Sequence, residues 1–151
     1  MRTFTSAQEW LDAKGETLGT SDWTEITQEM VNKFADATGD HQWIHVDVER
    51  AKKESPFGGP IAHGFLTLSL LPMLGWQVFS SEGAKMGVNY GCNKVRFMAP
   101  VPVGAKVRDT LVLTEAKMIR EALQTVITHT IEIEGTEKPA CVAESVTLIY
   151  F

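Results

Sequence analysis

The sequence predicts an α+β fold in which a curved antiparallel sheet of about five strands surrounds one long helix. The helix is indicated by residues 62–79, whose pattern is helical and almost entirely apolar; no Asp, Glu, Lys or Arg occurs between Glu54 and Glu82. A helix that is apolar on every side must be covered all round, so we expect the sheet to wrap it. The sheet is indicated by four stretches with strand character, at residues 85–98, 105–118, 122–134 and 140–151.

In the third of these stretches, residues 122–134, the side chains alternate between two faces in the way that is typical of a sheet with one buried side. Turn-forming residues at 100–104 and 134–139 separate it and its neighbours into hairpins. We therefore expect one face of this strand to be buried, and that face carries Thr125, Ile127, His129, Ile131 and Ile133.

The N-terminal third of the chain predicts a strand-like segment at 18–26 and two short helices. Thr27 is a good helix N-cap, and apolar residues recur at helical spacing from Met30 to Thr38. A second, polar helix is expected around 48–53. In the long apolar segment, Pro72 and Gly75 should bend or loosen the middle of the helix.

Composition predicts a single domain over residues 1–151, because the chain is long enough for one core and short for two. A net charge of −5 argues against nucleic acid as a partner. The two cysteines show no CxxC pattern and the N-terminus lacks an apolar signal core, so we expect a reduced, cytoplasmic protein. Prolines and glycines at 56–60 argue against reading the uncharged segment as a membrane span.

Asp40 and His45 are the first candidates for chemistry. On a continuous helix they would lie roughly 140° apart, so the helix must end before them. Gly39 is suited to end it, since glycine adopts the left-handed conformation without steric cost. A loop from Asp40 to His45 can then bring a carboxylate and an imidazole to one point, as water activation requires. The alternative is structural: Asp40 caps the next turn and His45 is packed in the core.

His63 and Gly64 lie at the predicted start of the long helix, after a loop rich in proline and glycine. Free N–H groups and the helix dipole favour negative charge at such a position. Because Gly64 has no Cβ, a carbonyl oxygen can approach its N–H closely, which predicts an oxyanion site. The alternative is that Gly64 relieves crowding between the helix and a neighbouring strand.

Together these segments resemble the MaoC-like, (R)-specific enoyl-CoA hydratase family of hot-dog-fold proteins. That family carries Gly-Asp-x-Asn-Pro-(Ile/Leu/Val)-His, and residues 39–45 match its Gly-Asp and its aliphatic-His in register. Gln42 stands where Asn is usual and Trp43 where Pro is usual, which puts the typical substrate range in doubt. Ala62, His63 and Gly64 match the family's hydrophobic-His-Gly motif, and residues 95–104 resemble its Arg-Phe-x-x-Pro-Val-x-x-Gly turn.

The resemblance implies a hot-dog fold and reversible addition of water to a trans-2-enoyl thioester, giving the (R)-3-hydroxyacyl thioester. It implies that Asp40 and His45 hold the water and that the Gly64 N–H stabilises the enolate oxygen, with no metal or redox cofactor. The expected substrate is an acyl-CoA or acyl carrier protein thioester, and the expected assembly is a homodimer with the site at its boundary. Gln42, His63 and Asn89 are the candidate substrate contacts.

Three other functions remain open at this point. A hot-dog thioesterase would share the fold, but its base must face the carbonyl carbon. A binding subunit would keep the residues without turnover. A metal hydrolase could be built from carboxylate and imidazole ligands, and the residues available for it are Asp40, His41, His45, Asp47 and His63. We also expect Trp43 to lie in the core rather than in the acyl pocket.

Overall fold

The computed structural model describes residues 1–151. Six helices, α1 to α6, span Ala7–Asp12, Gln28–Thr38, Trp43–Val46, Val48–Glu54, Gly64–Ser69 and Leu71–Gly75. Eight strands, β1 to β8, span Arg2–Phe4, Thr17–Thr20, Thr24–Glu25, Phe79–Ser81, Met86–Phe97, Lys106–Ile119, Ala122–Ile133 and Cys141–Tyr150.

The main sheet is antiparallel and has six strands, ordered β2-β6-β7-β8-β5, with β3 pairing beside β2 on β6. Its four long strands lie within two residues of the predicted stretches, and the predicted buried face of β7 is confirmed. The last strand in sequence, β8, lies between β7 and β5. Its register with β5 runs from Met86 opposite Tyr150 to Phe97 opposite Cys141. The predicted α+β, hot-dog fold is confirmed.

The single long helix predicted over residues 62–79 is wrong in its extent. Two short helices, α5 and α6, meet at Leu70, and the chain then enters strand β4 at Phe79. Pro72 explains the break, since it has no N–H to continue the ladder of hydrogen bonds. At the junction, the Leu70 N–H turns to the carbonyl oxygen of Thr67 at 3.3 Å.

Strands β1 and β4 and helix α1 were not predicted. Strand β1 pairs in parallel with β4, and helix α1 follows β1 with Ser6 as its N-cap. The ring of Trp10 in α1 stacks on Phe4 at 3.9 Å and is fully buried. These elements are too short to show a period in the sequence, and they are held by packing against residues far along the chain.

The core lies between the concave face of the sheet and the two central helices. Helix α5 packs against β8 and α6 against β6, so the sheet covers the apolar segment as expected. A second cluster of apolar residues, around Trp10, fills the space under β6 and β7. None of the helices is both long enough and apolar enough to cross a membrane.

Candidate active site

Helix α2 ends where the sequence predicts. Thr27 caps its start by accepting a hydrogen bond from the Met30 N–H at 3.2 Å. Gly39 ends it with a φ of 80°, in the left-handed region, and its N–H bonds the Ala35 carbonyl oxygen at 2.8 Å. The chain therefore turns sharply at Gly39, and Asp40 leaves the helix axis.

The segment from Asp40 to His45 is not the open loop that we predicted. Residues Trp43–Val46 form one helical turn, α3, and the His45 N–H bonds the Gln42 carbonyl oxygen at 3.0 Å. This turn directs His45 into the protein, where its side chain is buried, while Asp40 stays exposed. The reason is geometric: successive side chains of a helical turn point in different directions, so His45 can point inward while Asp40 stays at the surface.

The hydrogen bonds of His45 determine its tautomer. Its Nδ1 lies 2.7 Å from the carbonyl oxygen of Ile61, and a carbonyl oxygen can only accept. The proton of neutral His45 is therefore on Nδ1, and Nε2 carries a free lone pair. Burial lowers the pKa of His45 and outweighs the hydrogen bond to Ile61 and the charge of Asp40, which raise it. His45 is thus neutral at pH 7 and able to accept a proton.

His63 connects the two sides of the site. Its Nε2 donates to the backbone carbonyl oxygen of Asp40 at 2.9 Å, and its ring stacks on that of His45 at 3.9 Å. Phe34 packs on its other side, with ring centroids 4.9 Å apart. The His63 Nδ1 is buried without a partner. His63 therefore holds the Asp40 backbone and the His45 ring in a common position.

Asp40, His45 and His63 form a cluster. One carboxylate oxygen of Asp40, one ring nitrogen of His45 and one ring nitrogen of His63 lie within 4.8 Å of one another. Two hydrogen bonds of about 2.8 Å span such a distance, so a single water can contact two of these groups at once. The same three groups have the chemistry of a divalent-cation site. His41 and Asp47, the other two candidate ligands, lie elsewhere: His41 pairs with Asp36 and Asp47 caps helix α4.

Gly64 lies beside this cluster as the first residue of α5, and its N–H has no acceptor within that helix. A cavity of about 290 Å³ is lined by His45, Gly64, Thr67 and the chain from Phe97 to Val101. A Cβ on Gly64 would lie 3.1 Å from the ring of Phe97. Gly64 therefore relieves crowding, as the structural alternative held, and it also lines the cavity.

The remaining predicted contacts lie apart from the cluster. Gln42 is exposed at the start of α3 and lines neither of the two main cavities. Asn89 is on β5, opposite Thr147, in the wall of a second cavity. Trp43 is half-buried, with the guanidinium of Arg50 over its ring at 4.3 Å, so it lines neither of the two cavities and is not fully in the core.

Sequence reasoning missed two supports of the site. Gln28, at the start of α2, donates from Nε2 to the backbone carbonyl oxygen of His45 at 2.8 Å. Phe97, at the end of β5, closes the cavity beside Gly64. Gln28 has no signal in the sequence, because it reaches the site only through the packing of separate elements. Phe97 lies in the Arg-Phe motif of residues 95–104, but that motif did not predict a role for it in the site.

A family model described as a MaoC like domain matches residues 9–136 of this chain. The chain belongs to the MaoC-like family. The resemblance found in the motifs at residues 39–45 and 62–64 is thereby confirmed.

Relatives within and around the MaoC-like family agree with this placement. The chain is 56% identical, over 147 residues, to 3-hydroxyacyl-thioester dehydratase Z of Mycobacterium tuberculosis, and the match covers 97% of each chain. Among solved structures, the (R)-hydratase from A. caviae involved in PHA biosynthesis superposes with a TM-score of 0.71 at 25% identity, covering 89% of this chain and 94% of that one. An R-hydratase from Pseudomonas aeruginosa shares the fold with a TM-score of 0.74 at 20% identity, over 91% of this chain and 81% of that one.

Proposed function

We propose that this protein is a hydro-lyase that reversibly adds water to a trans-2-enoyl thioester and forms the (3R)-hydroxyacyl thioester. One observation carries the proposal: the Asp40 carboxylate lies within 4.8 Å of a ring nitrogen of His45, and His45 lines the same cavity as Gly64. The names of the mycobacterial dehydratase and of the A. caviae (R)-hydratase support the reaction and its stereochemistry.

The proposed chemistry needs one titrating group. Water, held between Asp40 and His45, attacks C3 of the enoyl chain as His45 Nε2 accepts one of its protons. The π electrons of the C2–C3 double bond move to the thioester oxygen, where the Gly64 N–H stabilises the enolate. The imidazolium of His45 then delivers its proton to C2. Asp40 orients the water and stabilises the imidazolium, and the sum of the steps is addition of one water molecule.

We also propose that no metal or redox cofactor takes part, although Asp40, His45 and His63 could hold a cation. The proton that moves starts on water and ends on C2, so a single imidazole suffices for the transfer. Hydration that persists after dialysis against EDTA supports this, whereas loss of activity in EDTA and its return with zinc contradicts it.

The proposed assembly is a homodimer that binds an acyl-CoA or acyl carrier protein thioester, in the cytoplasm. Strand β5 ends the sheet with an unpaired edge, and it carries exposed apolar side chains at Met86, Tyr90 and Phe97. A second copy pairing there would cover this edge. Cys92 and Cys141 form no disulfide, which agrees with a reducing compartment.

Crotonyl-CoA tests the proposed reaction directly. We expect loss of the enoyl absorbance without release of free thiol, and chiral analysis should give the (R) product. Release of free thiol would indicate a thioesterase instead. No change with crotonyl-CoA or with a long-chain enoyl-CoA would indicate a binding protein, and an (S) product would contradict the proposed geometry.

A further inference from the structure

A second cavity, of about 840 Å³, shares no lining residue with the cavity that His45 and Gly64 line. It is bounded by α5 and α6 and by strands β5, β7 and β8. Its wall begins at Leu68, one helical turn or about 6 Å beyond Gly64. Its volume is that of a ligand site rather than of a packing defect. The two cavities therefore follow one another along helices α5 and α6.

The wall of this cavity carries polar side chains that a plain hydrocarbon chain does not need. Four of them form what we call the polar strip, on three neighbouring strands: Asn89, His129, Ser145 and Thr147. Ser145 and Thr147 are two residues apart on β8, and Asn89 is in register with Thr147. The polar strip therefore lines one continuous side of the cavity.

Ser145 is held by a buried relay of hydrogen bonds. Its Oγ lies 2.9 Å from His129 Nε2, and His129 Nδ1 lies 2.6 Å from Asp109 Oδ2. Asp109 is fully buried and His129 nearly so. The N–H of Asp109 bonds the hydroxyl of Ser21 at 2.9 Å. Burying a carboxyl group and an imidazole is costly unless they are paired, and here Asp109 Oδ2 is paired while Asp109 Oδ1 has no partner. The hydrogen bonds through His129 position the Ser145 hydroxyl.

The relay leaves Ser145 an acceptor in both of its proton arrangements. A serine hydroxyl has one donor and two acceptor lone pairs. If its O–H donates to His129 Nε2, both lone pairs remain; if Nε2–H donates to Ser145, one lone pair and the O–H remain. The group that matches an acceptor is a donor, and the O–H of an alcohol is the simplest donor that an acyl chain carries.

Hydrolysis by Ser145 is disfavoured, although serine, histidine and aspartate are the groups of a hydrolytic triad. Strand β8 is paired on both sides, and Ser145 is in register with Ile127 and with Cys92. Most backbone N–H groups around it belong to the sheet, and no helix N-terminus lies next to Ser145 in the chain to supply the N–H pair of an oxyanion hole. Ser145 is thus suited to bind a ligand rather than to attack it.

We propose that this cavity binds the distal part of the acyl chain and selects substrates that carry a hydroxyl group there, with Ser145 as the contact and with His129 and Asp109 as positioning residues. This inference rests on the proposed hydratase function. Along β8, Ser145 lies five residues beyond Ala140, which lines the reaction cavity, and this corresponds to about 17 Å. The hydroxyl therefore lies far from the reacting carbons, near the end of a long chain.

The test compares two trans-2-enoyl-CoA substrates of sixteen carbons, one plain and one with a terminal hydroxyl. The wild type should hydrate the hydroxylated substrate with the higher kcat/KM. In Ser145→Ala the ratio of the two kcat/KM values should fall about three- to tenfold, the worth of one hydrogen bond. Ser145→Thr should restore part of the preference, and Ser55→Ala, a matched control outside both cavities, should leave it unchanged.

Equal kcat/KM values for the two substrates in the wild type, or a preference that survives in Ser145→Ala, would overturn the inference. Free thiol released by the wild type but not by Ser145→Ala would also overturn it, in favour of a hydrolase. Hydration of the plain substrate by the wild type reports on the proposed function separately, so failure of the hydroxyl preference alone leaves the hydratase assignment in place.

Discussion

His45 and Asp40 act on the same water, so removing either should have nearly the effect of removing both. We expect Asp40→Asn and His45→Gln each to lower the hydration rate by about 10² to 10⁴, and the double variant to lose little more. The matched controls are Asp36→Asn and His41→Gln, an exposed carboxylate–imidazole pair five residues apart. Steady-state kinetics with crotonyl-CoA measures the effect. A rate near that of the wild type in either single variant would show that the cluster is not the site of proton transfer.

The pH dependence of kcat/KM should follow the protonation of His45, which acts as a base only when it is neutral. Burial lowers its pKa below the ordinary value of 6.5, so the base stays unprotonated at lower pH than a free imidazole does. The kcat/KM for hydration should therefore be full at pH 7 and fall only on an acid limb with its midpoint below pH 6.5. The stability that depends on neutral His45 has the same sign and is lost as the pH falls below 6.5.

His41 provides the contrast for this pH profile. Its hydrogen bond with the Asp36 carboxylate raises the pKa of His41, so it takes up its proton above pH 6.5. If kcat/KM instead falls with a midpoint above pH 6.5, and this fall disappears in His41→Gln, then His41 and not His45 controls the rate. That result would contradict our mechanism.

Gly64 has two roles that one pair of variants can separate. A Cβ in Gly64→Ala would lie 3.1 Å from the ring of Phe97, which is partly exposed and can be removed. We expect Gly64→Ala to lose hydration, and Gly64→Ala with Phe97→Ala to fold well but to remain slow, because the Cβ still hinders approach to the N–H. Recovery of the rate in the double variant would mean that packing is the only role of Gly64.

At the scale of the elements, the end of helix α2 determines where Asp40 lies. Gly39 is in the left-handed region, and a residue with a Cβ is disfavoured there by about 1–2 kcal/mol. Gly39→Ala should lower the free energy of unfolding by about that amount and should also slow hydration, while Gly39→Asn, which tolerates this conformation, should lose less. Urea denaturation gives the stability.

Gly59→Ala is the matched control for this variant, since Gly59 lies outside the left-handed region and a Cβ there would contact nothing within 4 Å. An equal loss of stability in Gly39→Ala and Gly59→Ala would show that the left-handed conformation of Gly39 does not determine the effect.

The elements also show what the sequence could and could not predict. The four long strands were predicted closely, because alternation over ten or more residues is a local signal. The break at Leu70 was predicted only as a bend, since proline shows where a helix weakens but not whether the chain resumes it. The turn α3 was missed because it depends on the burial of His45, which only the packed structure provides.

At the scale of the whole molecule, the sequence could predict the catalytic candidates, but it could not predict the hydrogen-bond relay to Ser145. Asp40 and His45 are close in sequence, so a motif reveals them. Asp109, His129 and Ser145 come from three different strands, and they meet only because the register sets Ile131 opposite Asp109 and Ala143 opposite His129. A shift of one residue would separate them and turn these side chains to the other face.

The unpaired edge of β5 predicts the assembly in solution. An exposed strand of twelve residues with apolar side chains is an aggregation hazard for a monomer. We expect static light scattering to give the mass of a dimer or of a higher multiple. A strict monomer at micromolar concentration would contradict the proposed homodimer and would require the edge to be protected in another way.

The place of β8 between β7 and β5 also has a consequence for biosynthesis. On the ribosome, β5 emerges well before β8, yet within the chain β8 is its only partner in the sheet. For the time needed to translate more than forty residues, the nascent chain carries a long strand with both edges open. Nonlocal pairing of this kind is slow to form and prone to aggregation. The interval before β8 is released is therefore when this protein depends most on chaperones, and a premature stop codon upstream of β8 would leave β5 without a partner in its own chain.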